Sequence, residues 1–361
     1  MRTRSTTVRL AAGLATLGFA VAACGSDDAE PSDEPAEGVA DEPADSASDE
    51  SSDEPAAEPT DESVEAVSIG IVAPSASNDL AFTQSIVDSV NRLAEDRDIE
   101  IAITDGSFVV EDAAASIRGY AEDGVDLVIA HGSQYGGPLQ EIAPEFPDTA
   151  FAWGTSVDTF GLDNVFAYTT RADEGGYVNG VMAGLLTESN TIGVVGPIEV
   201  GDAKLYVDGF IAGAAASNPD ATVNVNYIES FSDVALAAEA AAAHVTNGAD
   251  VMTGTAQMVV GATGVAGENG IPWFGTQSDQ TPLGDDFVVA SQEYHWEVVL
   301  ADILDSMSGG TMGGEAFTLT FANGGLEMIF NDGFELSDDA RAAADEAIAA
   351  LTDGSLSTGV E

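Results

Sequence analysis

The sequence predicts an α/β protein of two parallel-sheet lobes facing a common cleft, carried behind an export signal and an acidic tether. Three observations lead there. From Val64 onward, short continuous apolar runs alternate with stretches of helical period, the texture of parallel strands covered by helices on both faces. Of the 361 residues, the 295 beyond position 66 are too many for one small core and enough for two lobes. Gly- and Ser-bearing segments follow several strands, at 73–79, 130–137 and 275–280, where the carboxyl edges of parallel sheets form a ligand crevice.

The elements justify themselves in order. Arg2, Arg4 and Arg9 precede an apolar run from Leu10 to Ala23, too short to span a bilayer core of roughly 30 Å and suited to a signal peptide over 1–23. The run ends Val21-Ala22-Ala23-Cys24, which resembles a bacterial lipobox and implies lipidation of Cys24, the only cysteine in the chain. After Cys24, residues 25–66 are mostly Asp, Glu, Ser, Pro and Ala, five of them prolines, so 24–66 reads as an extended spacer with almost nothing to bury. Strands are expected at Val67–Val72, Ile99–Thr104, Val125–Ala130, Ala150–Trp153, Ile192–Val195, Val223–Ile228 and Asp250–Met252. Helical spacing links Phe82, Ile86, Val87, Val90 and Leu93, and recurs at 111–122, 174–186, 203–216 and 234–245.

Charge excludes more than it assigns. Nine Lys+Arg stand against 63 Asp+Glu, a formal net of −54, and beyond residue 66 the bases are only Arg92, Arg97, Arg118, Arg171, Lys204 and Arg341. Such a surface repels phosphate backbones, so no nucleic-acid partner is expected. The acidity reads as solubility in a saline or otherwise demanding exterior. No Walker, zincin, nucleophile-elbow or dinucleotide motif is present, and His131, His244 and His295 are not spaced as metal ligands. With neither a catalytic set nor a cofactor or metal motif, the chain is read as a binding protein and not an enzyme.

Asn78-Asp79-Leu80-Ala81-Phe82-Thr83-Gln84-Ser85 resembles the D-D-K-S-F-N-Q-S signature of the Bmp family, lipoprotein substrate-binding components of ABC importers best understood as nucleoside binders. Tyr177 to Gly184 is similar to the family's Y-L-A-G-x-x-A-A helix, and Thr191 to Gly196 and Val207 to Ala214 to its G-x-V-G-G and N-G-F-x-x-G-A elements. Gly248-Ala249-Asp250-Val251 and Ser278-Asp279-Gln280 complete a collinear match from about residue 67 to 330. The resemblance implies a periplasmic-binding-protein type I fold, two lobes joined by three crossings that close on ligand by hinge motion. Lobe 1 is expected at about 67–169 and 281–311, lobe 2 at about 170–280 and 312–361. The implied function is a lipid-anchored protein on the extracytoplasmic face, capturing a purine base, nucleoside or related planar molecule and delivering it to an ABC permease. A ligand-sensing receptor of the same fold, or an importer component for a sugar, are the alternatives.

The family stacks its base between two aromatic rings, positions that fall here on Phe82 and Phe231. Phe82 is also in phase with Ile86 and Val90, so a core role stands beside the ligand role; Phe231 leaves its strand among Ser230, Ser232 and Asp233. The polar contacts depart from the family: Ala73 and Pro74 replace an Asp-Asn pair, Gln277 replaces an acid, and a lysine is lost around Tyr294. Ser133-Gln134-Tyr135, Arg171 to Gly175 and Trp296 instead match a subgroup that favours purine bases or related heterocycles. The expected ligand set is therefore Asp79, Phe82, Gln134, Tyr135, Glu174, Phe231, Gln257, Gln277, Asp279 and Trp296. Trp296 shares a helical face with Val299, Leu300, Ile303 and Leu304, which suits core packing equally, and Glu174 suits a helix start. Arg171 fits a hinge salt bridge ahead of a ligand contact.

Overall fold

A computed structural model describes residues 66–360; the expected signal, tether and Cys24 lie outside them. The chain begins with β1 (Val67–Val72), α1 (Phe82–Asp96), β2 (Ile99–Thr104), α2 (Val110–Glu122), β3 (Leu127–Ala130), α3 (Gly136–Ile142), β4 (Ala150–Gly154) and β5 (Val165–Thr170). It then crosses into α4 (Ala172–Leu186), β6 (Thr191–Gly196), α5 (Gly201–Ser217), β7 (Thr222–Tyr227), α6 (Val234–Thr246), β8 (Val251–Gly254), α7 (Val259–Glu268), β9 (Trp273–Gln277) and β10 (Val288–Tyr294). The last elements are α8 (Glu297–Ser308), β11 (Ala316–Leu319), β12 (Leu326–Phe330) and α9 (Asp338–Thr352).

Two six-stranded sheets result, ordered β11-β5-β4-β3-β1-β2 and β12-β10-β9-β8-β6-β7. Every neighbouring pair in these sheets is parallel except β10 with β12. Burial follows position in the sheet. β3 and β9 are buried at every residue, whereas the edge strands β2 and β7 are only half-buried at best, β7 in strict alternation. The carboxyl ends of β1, β3 and β4 face one lobe's cleft edge, and those of β6, β8 and β9 the other's.

Sheet membership moves the expected lobe boundaries. Residues 288–294 belong to the second sheet and 316–319 to the first, so the chain returns to lobe 1 after Tyr294 instead of near 281, and leaves it after Leu319 instead of near 312. The physical reason is strand pairing: Val288 to Glu293 continues the parallel ladder on β9, and Ala316 to Leu319 completes the first sheet beside β5. The crossings lie together, bound by Arg171 N–H to the Leu319 carbonyl (2.9 Å) and His295 N–H to that of Gly325 (2.9 Å).

One apolar cluster runs through both lobes, from Ile69 and Ile71 through Tyr168, Tyr294 and Trp296 to Phe210 and Phe274; two smaller ones lie under α2–α3 and α6–α7. Contact between α4 and α5 depends on glycine. A Cβ at Gly213 would stand 2.0 Å from the Tyr177 carbonyl oxygen, and one at Gly180 2.1 Å from that of Phe210. Any side chain there would force α5 outward, and α5 begins at the cleft.

Candidate functional site

A slot of ≈ 450 Å³ of space between atoms, part of it open to solvent, lies between the lobes at the strand ends. Lobe 1 supplies Phe82, Phe108, Ser133, Gln134 and Thr155; lobe 2 supplies Asp202, Phe231, Ala256, Gln257 and Gln277. The structure thus brings five of the expected ligand residues to one cavity: Phe82, Gln134, Phe231, Gln257 and Gln277.

Phe82 belongs to the core and borders the slot at once. It starts α1 and is 8% exposed, yet it lines the slot. Its ring stacks on the His131 imidazole, centroids 4.0 Å apart and 16° from coplanar. Behind His131 lie Tyr168, nearly parallel at 6.0 Å, and Trp296, edge-on at 5.5 Å. The Tyr168 hydroxyl lies 2.8 Å from His131 Nδ1, and Nε2 lies 3.2 Å from the Phe82 carbonyl oxygen. A carbonyl only accepts, so Nε2 carries the proton and Nδ1 accepts from the tyrosine. Burial holds this imidazole neutral, its pKa driven down to about 3, with the bond to the Phe82 carbonyl opposing the shift. Phe82 is therefore braced from behind by a fixed aromatic stack.

The opposite lobe offers acceptors. Asp202, in the first turn of α5, is part-exposed as a residue, but its Oδ2 is buried without a hydrogen-bond partner. Desolvation raises its pKa to about 6, against backbone N–H groups at the helix start and the neighbouring Gln277 side chain, which favour the carboxylate. Gln277 is 2% exposed, and its Oε1 likewise lacks a partner. Among the described residues no Lys or Arg lines the slot. Thr155 (φ +59°), Ala256 (φ +72°) and Gln277 (φ +78°), each just past or at a strand end, adopt the left-handed backbone that non-glycine residues avoid, a strain that clusters at ligand sites. Among the described residues no group of three His, Cys, Asp or Glu is placed to hold a metal.

Five expected residues stand elsewhere. Asp79 caps α1, its carboxylate accepting from the Ala81, Thr83 and Gln84 amides at 2.9–3.1 Å. The glycine-rich loop after β3 turns as a short helix over Ser133–Tyr135, which sends Gln134 to the slot and Tyr135 inward, its hydroxyl donating to the Ser107 carbonyl at 2.8 Å. Trp296 is fully buried, its indole N–H on Ser85 Oγ at 2.8 Å. Glu174 accepts the Phe321 N–H at 2.8 Å beside a crossing, and Asp279 accepts the Thr281 N–H at 2.9 Å outside the slot. Arg171 makes the expected salt bridge beside its crossing, gripping buried Asp173 through two bonds of 2.8 and 2.7 Å. Sequence reasoning missed Phe108, Thr155, Ala256 and Asp202; the Gly201-Asp202 pair just ahead of the expected helix start was the available signal for the last.

Comparisons with known proteins agree with this geometry. Residues 66–351 match the family model Bmp, described as ABC transporter substrate-binding protein PnrA-like. A purine-binding protein of Brucella abortus is 28% identical over 295 residues, 81% of this chain and 83% of that one. A putative ABC transporter glucose-binding protein of Haloferax volcanii is 28% identical over 198 residues, 55% of this chain and 50% of that one. The solved structure of an ABC transporter solute-binding protein from Conexibacter woesei aligns with TM-score 0.67 and 26% identity, covering 81% of this chain and 98% of that one. With its two parallel-sheet lobes, its interlobe slot and this match over most of its length, the chain belongs to the Bmp family of ABC transporter substrate-binding proteins.

Proposed function

We propose that this protein captures a purine base, nucleoside or related planar molecule between its lobes and hands it to an ABC permease, held to the extracytoplasmic membrane face by lipid on Cys24. The observation that carries the reading is the pair Phe82 and Phe231, phenyl rings from opposite lobes lining one slot that, among the described residues, no Lys or Arg lines. A flat ring between two phenyl faces loses apolar surface to both, and the surrounding amides of Gln134, Gln257 and Gln277 offer donors and acceptors to its edge. The purine-binding relative supports the same ligand class. A sugar is the second reading, favoured by the glucose-binding relative.

A thermal-shift screen of bases, nucleosides, sugars and amino acids tests this, because a ligand at about 100 times its Kd adds roughly 2.7 kcal/mol. Purines or nucleosides should raise the melting point and sugars should not. Phe231→Ala and Phe82→Ala should each weaken binding by about tenfold or more, given ~1–3 kcal/mol per stacked base. Unchanged affinity in both variants would end the stacking model.

A further inference from the structure

We infer that the cleft selects a planar ring that presents neighbouring N–H donors, an amino-substituted edge, toward Asp202 and Gln277, and discriminates against the matching oxo ring. The inference rests on the planar-ligand reading above and deepens it. Its basis is a row of buried oxygens without a hydrogen-bond partner, beside which the Gln277 side chain already favours the Asp202 carboxylate. Five buried side-chain polar atoms among the described residues lack a hydrogen-bond partner, and three of them stand at neighbouring strand ends of the second sheet: Asp202 Oδ2 after β6, Thr255 Oγ1 after β8 and Gln277 Oε1 at the end of β9. Asp202 and Gln277 line the slot, and Thr255 precedes the lining Ala256.

Buried acceptors without partners are rare in folded proteins, and at a cavity wall they mark where a ligand donates. A hydroxyl can rotate and an amide can turn over, but an ionised carboxylate only accepts. Asp202 therefore decides the polarity of the edge. The two N–H bonds of a ring amino group meet these oxygens; a ring carbonyl in its place would face oxygen with oxygen, and an anionic ligand would meet a carboxylate where, among the described residues, no Lys or Arg lines the wall.

Isothermal titration of the purified protein with adenine and with hypoxanthine, at neutral pH, tests the inference. The wild type should bind adenine at least about tenfold more tightly. Asp202→Asn, whose amide can donate to a carbonyl, should bring the two affinities to within about threefold. Equal affinities in the wild type, a preference for hypoxanthine, or an unchanged ratio in a folded Asp202→Asn protein overturns the inference and leaves the planar-ligand reading intact. Binding of glucose with neither purine overturns both.

Discussion

Replacing His131 by Phe should flatten the fall in stability between about pH 7 and pH 5. The imidazole is wholly buried, held between the Tyr168 hydroxyl and the Phe82 carbonyl, and its pKa falls from 6.5 to about 3 because burial disfavours the cation. The sign follows from linkage. Below its ordinary pKa the unfolded chain binds a proton that the folded chain refuses, so the stabilisation is complete above about pH 6.5 and is lost as pH drops toward 3. At pH 5 the loss is about 2 kcal/mol, approaching ~5 kcal/mol near pH 3. Urea unfolding of wild type and His131→Phe at both pH values reads the effect. The variant leaves the Tyr168 hydroxyl unpaired and is weaker throughout, but that constant loss cancels in the difference between pH values. His244 and His295, shifted down and up respectively, are common to both proteins and cancel as well. An identical pH difference in the two proteins would refute the neutral buried imidazole, and with it the fixed brace behind Phe82.

Gly213→Ala should lose about 1–3 kcal/mol or fail to fold, because its Cβ meets the Tyr177 carbonyl at 2.0 Å; Gly264→Ala, in open space on α7, should gain up to ~1 kcal/mol in the same melting assay. Trp296→Phe should lower stability by about 2 kcal/mol through its unfilled volume and the orphaned Ser85, yet leave ligand affinity within about twofold, since Trp296 does not line the slot.

Strands β1 to β4 and helices α1 and α2 were legible because parallel strands buried on both faces read as continuous apolar runs, as at Leu127 to Ala130, and because α1 repeats its apolar face every third or fourth residue; β5 and α3 were not. The late crossings were not. Val288 to Tyr294 and Ala316 to Leu319 are each a plausible strand alone, and which sheet each joins is decided by partners more than a hundred residues away in one case and adjacent in the other. In the site, the two stacking positions of the family pattern, Phe82 and Phe231, reach the slot, whereas Asp202 was hidden among 63 acids whose sequence neighbours say nothing of burial. Tyr135 and Trp296 looked like ligand contacts because a polar loop or a helix start places a residue near the cleft without telling which way its side chain turns.

The left-handed residues at Thr155, Ala256 and Gln277 have an evolutionary consequence. A glycine at any of them would relax a backbone that costs an ordinary residue roughly 1–2 kcal/mol. Selection for heat resistance alone would therefore drift toward glycine at the rim, while selection for capture of a scarce solute would hold the side chains in place. A thermostabilised descendant of this chain that acquires glycine at these three positions should be sturdier and a poorer scavenger.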